Sequence, residues 1–290
     1  MSNASVLFDA PGPRARRRYR TTAVATVIGI VAVLGLITWK LWVEDQLTVE
    51  KWEPFVTPAI MEFLLEAMLE TLKAAVLAIA GAMVFGVIFG VGKLSDHAIM
   101  RWPCWAVVEF FRAVPLLLLI IFIWAFQGYP RETILPLVLG LILYNGSVLA
   151  EVFRAGINAV PKGQSEASYA IGMRKNQVMR IVLLPQAVKI MLPAIISQCI
   201  VALKDTSLGY AILAPGLTYA GRQIWSEFSN RLATAIVLAA IYILLNLILS
   251  WIAEYLQRRM GAPKMELVGG IVKTQPDAGA SGAGGTAAGV

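Results

Sequence analysis

Six apolar runs, each near the length of a membrane crossing, dominate the chain: about Thr21–Val43, Ile60–Leu94, Cys104–Phe126, Ile134–Phe153, Pro185–Leu203 and Leu232–Tyr255. A helix of about 20 predominantly apolar residues crosses ~30 Å of hydrocarbon. In lipid, backbone polar groups must be satisfied within the segment, which a helix does. The runs therefore predict an all-α membrane protein with six transmembrane helices. Composition agrees. Only 15% of residues are charged and 58% are hydrophobic, against about 25% charged in a soluble domain.

Basic residues fix the expected orientation, because Lys and Arg concentrate on the cytoplasmic side. With both termini inside, the cytoplasmic segments hold Arg14, Arg16, Arg17, Arg18, Arg20, Lys93, Arg101, Arg154, Lys162, Arg174, Lys175, Arg180, Arg258, Arg259, Lys264 and Lys273. The outer segments hold Lys40, Lys51, Arg131, Lys204, Arg222 and Arg231. Sixteen against six supports that orientation, in what is expected to be a multi-pass protein of the cytoplasmic membrane. The first run is too long for a signal peptide, and LWVEDQ after it is no cleavage site. The net charge of +7 sorts by membrane side, so nucleic acid is not an expected partner.

Within the second run, Glu62, Glu66, Glu70 and Lys73 form a polar stripe near the outer surface. Gly86 and Gly90 are spaced to let another helix approach closely, either within the chain or across a dimer seam. Gly92-Lys93 is not a phosphate loop. The glycine needed five residues earlier is Val87, and Leu94 stands where Ser or Thr should hold magnesium. Any ATP that drives this protein is bound by another polypeptide.

Ser95–Pro103 is expected to be a short loop. Pro115 is expected to kink the third helix, which carries Glu109 and Arg112 on one face. Arg112 is either a snorkelling anchor or an inner-gate residue. In the fourth helix Tyr144, Asn145, Gly146 and Ser147 sit at mid-depth, where polar groups need partners or a water-filled path. Gln198 lies inside the fifth helix, and Lys204, Asp205 and Thr206 follow it as a surface loop or the floor of a vestibule. Arg112, Asn145, Ser147, Gln198, Lys204, Asp205 and Thr206 are thus the candidate path residues. Cys104 and Cys199 lie in apolar surroundings and read as packing residues. A lone His97 in a loop makes no metal site.

The polar stretch Glu166–Pro185 interrupts two apolar runs. Its first half reads as a short helix outside the bilayer. Gly172 suits a helix C-cap, because glycine tolerates a left-handed backbone. Pro185 falls where the next helix should start, where a missing N–H does little harm.

This stretch resembles the EAA loop of ABC-importer permeases, with pattern E-A-A, three residues, G, nine residues, I-x-L-P. Glu166, Ala167, Gly172, Leu184 and Pro185 are in register, with Ser168 for the second alanine and Val182 for the isoleucine. FFRAVPLLLL and LKDTSL also resemble the polar amino acid branch, and the likeness runs from Leu64 to Arg258. It implies a type I importer permease fold. The segments are a basic cytoplasmic N-terminus (1–20), an extra transmembrane helix and outer loop (21–59), a five-helix permease core (60–258) with a coupling loop at 158–182, and a disordered cytoplasmic tail (259–290).

The resemblance further implies a transport subunit with no catalytic site. ABC ATPase subunits would hold ATP and magnesium, a sister permease or second copy would complete the pathway, and an extracytoplasmic solute-binding protein would deliver a polar amino acid, with glutamate favoured. Glu166, Ala167, Gly172, Arg174 and Pro185 are the implied ATPase-coupling residues. The alternatives are an ion-coupled carrier or passive channel for small polar solutes, which needs a filter or midplane ion pair, and an intramembrane enzyme, which needs a catalytic constellation.

Overall fold

The computed structural model describes residues 13–129, 132–259, 266–268 and 271–273. Its helices are α1 (Pro13–Val43), α2 (Val49–Trp52), α3 (Pro58–Lys93), α4 (Ala98–Ala113), α5 (Leu116–Phe126), α6 (Leu135–Asn158), α7 (Lys162–Ala170), α8 (Lys175–Gln177), α9 (Leu184–Asp205), α10 (Leu217–Phe228) and α11 (Arg231–Arg259). Most of the tail lies outside the described residues. Within it, β1 (Glu266–Val268) and β2 (Ile271–Lys273) pair as a short antiparallel hairpin.

Among the described residues, five helical stretches are long and apolar enough to cross a membrane: Arg17–Val43, Pro58–Lys93, Leu135–Asn158, Lys175–Ile212 and Arg231–Gln257. The sixth expected crossing differs from the kinked rod that the sequence predicts. It is a broken pair, α4 and α5, bent by 102°. Proline clashes with the preceding residue in the helical conformation and drives it extended. Val114 accordingly sits at φ −77°, ψ 129°, and Pro115 caps α5. The loop before this pair is also shorter than expected, because α4 begins at Ala98 and runs through Pro103.

The chain divides into two compact units. One is Met1–Met61 with Ile224–Ile236, and the other is Glu62–Gln223 with Val237–Val290. In the first, the Lys51 ammonium donates to Ser229 O at 2.9 Å, and Asn230 Nδ2 donates to Lys51 O at 3.0 Å. Asn230 Oδ1 accepts from Thr234 at 2.9 Å. These bonds join the segment after α1 to the turn before α11.

The second unit has the inverse packing expected of a protein dissolved in lipid. Small residues face inward on α3: Ala74, Ala75, Ala78, Ala82, Gly86 and Gly90 are buried. Val76, Val84, Ile88 and, on α11, Leu247 point outward. Interhelical attraction in lipid comes from close packing rather than water exclusion, so small residues mark the contact. A Cβ on Gly86 would stand 2.8 Å from Leu149 Cβ, and one on Gly90 would stand 2.9 Å from Ala150 O. The Gly86–Gly90 pair therefore packs α3 against α6 within one chain. Two apolar clusters continue this contact, one around Ala78, Ile120 and Leu141, the other around Ala82, Leu149, Phe153 and Met191.

α9 starts at Leu184 with Pro185 in its first turn, as expected, but helix already precedes it. Helix is continuous from Lys175: α8 leads through a π-helical turn, Val178–Leu183, into α9. Proline inside a helix lacks a donor, and its ring crowds the carbonyl four residues back. The wide turn just before Pro185 takes up that misfit, with Leu184 N–H bonding Met179 O five residues back.

Candidate functional site

Three groups of polar residues stand out: a loop helix outside the spans, a buried amide–carboxylate cluster between spans, and an ion-pair network at one end of α3.

The loop helix is α7. Pro161 precedes it and fixes its start, and Ser165 and Ser168 bond back to Lys162 O at 2.8 Å and Gln164 O at 2.6 Å. The helix stops at a glycine. Gly172 has φ +83°, its N–H bonds Tyr169 O at 2.9 Å, and Met173 N–H bonds Ser168 O at 3.1 Å. This pair of bonds is a Schellman end, which requires a left-handed residue. Nothing lies within 4 Å of a Cβ built there, so the backbone angle, not crowding, selects glycine.

Helix then restarts at once. Arg174 N–H donates to Gln177 Oε1 at 2.8 Å. Gln186 bridges the two arms, reaching Gln164 Oε1 at 3.4 Å and Val182 O at 3.0 Å. Lys175 is ion-paired with Asp96 in the α3–α4 loop. The result is a stiff corner whose outer face exposes Glu166, Ala167, Tyr169, Ile171 and Arg174. Tyr169 and Ile171, 48% and 79% exposed, are apolar knobs that sequence reasoning missed. Their signal is two bulky apolar residues inside a charged stretch.

The buried cluster centres on Asn145, 1% exposed on α6. Gln198 Nε2 from α9 donates to Asn145 Oδ1 at 2.5 Å. The Asp205 carboxylate at the end of α9 lies against the same amide. Nearby elements hold further polar groups. Thr206, 4% exposed, donates to Leu203 O at 2.6 Å, and Tyr242 of α11 interacts with Thr206 and with Thr71 of α3. Thr71 accepts Leu217 N–H at 2.9 Å.

Asn145, Gln198, Asp205 and Thr206 thus fall together, but three other candidates stand apart. Ser147 is buried and donates to Leu143 O within its own helix at 2.7 Å. Lys204 is exposed. Arg112 lies on α4, paired with Glu109 at 3.3 Å.

The third group was visible in sequence only through the local pair Glu109 and Arg112. Its hub is Lys93, whose side chain is 4% exposed rather than free in a loop. The Lys93 ammonium lies 3.4 Å from Glu109 and is ion-paired with Glu151. Glu151 also binds Arg154 at 2.9 Å. At the other end of α3, the acidic stripe is real: Glu66, Glu70 and Lys73 border one cavity with Glu132 and Tyr219, and Lys73 pairs with Glu70 at 3.1 Å.

Apolar spans around a buried polar cluster, with a braced corner held outside them, are the features of a membrane transport subunit. The chain belongs to the family described as binding-protein-dependent transport system inner membrane component, which it matches over residues 58–262. It is a multi-pass permease subunit of that family. The matched region begins at α3, so α1 and α2 lie outside it.

It is similar to the glutamate transport system permease protein GluD of Corynebacterium glutamicum, 41% identical over 245 residues, covering 81% of this chain and 89% of that protein. It is also similar to the glutamine transport system permease protein GlnP of Escherichia coli, 30% identical over 210 residues, covering 71% and 95%. A solved amino acid ABC transporter shares the fold with a TM-score of 0.65 and 29% identity, covering 69% of this chain and 94% of that one. The methionine transporter MetNI, at 21% identity and a TM-score of 0.62, shares the fold.

Proposed function

We propose that this chain forms the pathway of an ABC importer for a polar amino acid, with glutamate the favoured cargo. In this reading ATP and magnesium are held by separate ATPase subunits on the cytoplasmic side. A sister permease or a second copy of this chain completes the pathway, and an extracytoplasmic solute-binding protein supplies the cargo. Both termini are cytoplasmic.

The observation that carries the reading is the corner at Gly172. Glu166, Ala167, Tyr169, Ile171 and Arg174 stand exposed on a segment braced at both ends, by Asp96–Lys175 and by Gln186. Such a segment moves as a rigid lever. A partner that closes on ATP would carry α7 with it and shift α6 and α9, which lie on either side of α7 in sequence. That is rigid-body coupling through a bistable interface. Asn145, Gln198 and Asp205 link α6 with α9, so the same movement alters the buried polar cluster. This makes the three residues the favoured path contacts, ahead of Arg112, Ser147, Lys204 and Thr206. The GluD name supports glutamate as cargo.

Uptake of labelled glutamate into vesicles holding the whole importer, with a panel of competing amino acids, tests the reading. Glutamate should compete most strongly, and uptake should require hydrolysable ATP on the coupling side. Uptake without nucleotide would favour the channel or ion-coupled carrier.

A further inference from the structure

We propose that the cavity beside Lys93 binds the phosphate of an anionic phospholipid in the cytoplasmic leaflet. The cavity is about 460 Å³ and is lined by Lys93, Arg101, Glu109, Glu151 and Arg154, with the rings of Trp102 and Trp105 as its apolar wall.

Charge selects an anion. Lys93 touches both carboxylates, and each carboxylate also holds an arginine of its own, Glu109 with Arg112 and Glu151 with Arg154. Three cations therefore share two anions. Arg101 adds a further positive charge. It reaches the backbone oxygens of Ser95 and Asp96 at 3.3 and 3.5 Å, and the nearby Asp96 carboxylate is engaged by Lys175. The lining is built rather than incidental, because the Lys93 side chain is 4% exposed and held between α4 and α6. Guanidinium groups match phosphate geometry, and a phosphate here would meet Arg101 and Arg154 together.

The wall selects a lipid. Trp102 and Trp105 pack edge to face, with ring centroids 5.9 Å apart, yet remain 63% and 48% exposed. Ile99 and Met100 on the same helix are 91% and 59% exposed. A soluble anion gains nothing from such a wall. A phospholipid lays its glycerol and first methylenes against it, and tryptophan favours the headgroup level of a bilayer. The choice of leaflet rests on the orientation proposed above.

The test uses the assembled importer in phosphatidylcholine nanodiscs doped with photoactivatable phosphatidylglycerol. Label should concentrate on the peptide carrying Trp102 and Trp105, and unlabelled phosphatidylglycerol should compete it away. Arg101→Gln should cut the yield about tenfold, the loss of one charge-assisted contact, while Arg101→Lys keeps most of it. Label spread evenly over α1 and α11 and indifferent to Arg101→Gln overturns the site. Displacement by soluble glycerol phosphate, or by glutamate, also overturns it, in favour of a free phosphate ester or departing cargo. Separately, Ser95→Cys in sealed cells should react only from the cytoplasm. Reaction from outside, with lipid labelling intact, would overturn the orientation and move the site to the other leaflet.

Discussion

Lys93 of α3 and Glu151 of α6, fifty-eight residues apart, form an ion pair in which the lysine side chain is 4% exposed. It fastens the ends of two long spans whose contact is otherwise made of glycine, alanine and apolar side chains. Without Lys93, Glu151 keeps Arg154 and Glu109 keeps Arg112, so neither carboxylate is left unpaired. Lys93→Met should therefore cost about 1.5–3 kcal/mol, the loss of charge-assisted hydrogen bonds, read as a lower unfolding temperature in detergent. Lys93→Met combined with Glu151→Gln should cost clearly less than the two single changes added together. Additive losses would show that the two groups do not interact.

The Gly86–Gly90 face of α3 should resist enlargement. Gly86→Val forces a side chain into Leu149 and Phe153, and overpacking of this kind costs about 1–3 kcal/mol. Thermal unfolding should shift down accordingly. Folded Gly86→Val protein should associate with the second permease proposed above, sister or second copy, as the parent does, since the face is spent within the chain. Selective loss of association with unchanged unfolding would place the face at a dimer seam instead.

Asn145→Leu removes the acceptor of Gln198 and the neighbour of Asp205, so apparent affinity for the imported amino acid should fall several-fold with insertion unchanged. Ser147→Ala, which removes only a bond to its own helix, should leave affinity close to the parent value. Equal effects of the two changes on competition assays would remove Asn145 from the path.

Asp96 carries a pH-linked brace of the corner. The Lys175 hydrogen bond and charge hold its carboxyl below the usual carboxylate range. A depressed folded value means that the contribution is present above the unfolded value and is lost as pH falls through the folded one. The brace is then constant from neutral pH down to about pH 4 and releases only below it. A spin label at Asn176 should report constant mobility over that range. Asp96→Asn should raise that mobility at every pH, and an unchanged spectrum would show that the pair does not restrain the corner.

Much of this was legible in local sequence. Gly172 announced itself because a helix end needs a positive φ that few residues adopt. The apolar runs gave the spans, because length against bilayer thickness is a one-dimensional question. Lys93 was not legible. A lysine closing an apolar run looks like a loop residue, and only Glu109 and Glu151, brought in by the fold, make it a buried hub. Pro115 gave the position of a bend but not its 102° size, which depends on what α4 and α5 pack against. Pro185 pointed to a helix start, and α9 does begin at Leu184 with the proline in its first turn. What it did not show is the helical lead-in from Lys175 through a π-helical turn.

The central claim is that the α7 corner is the surface on which an ATP-hydrolysing partner pushes. The most direct measurement is site-specific cross-linking from Ala167→Cys, with Cys104 and Cys199 replaced by alanine, in inside-out membrane vesicles. The expected result is one dominant adduct, with the co-purifying ATPase, whose formation abolishes ATP-dependent release of labelled cargo from the vesicle lumen. An adduct with an extracytoplasmic protein, or full ATP-dependent release with the corner covalently locked, would contradict it.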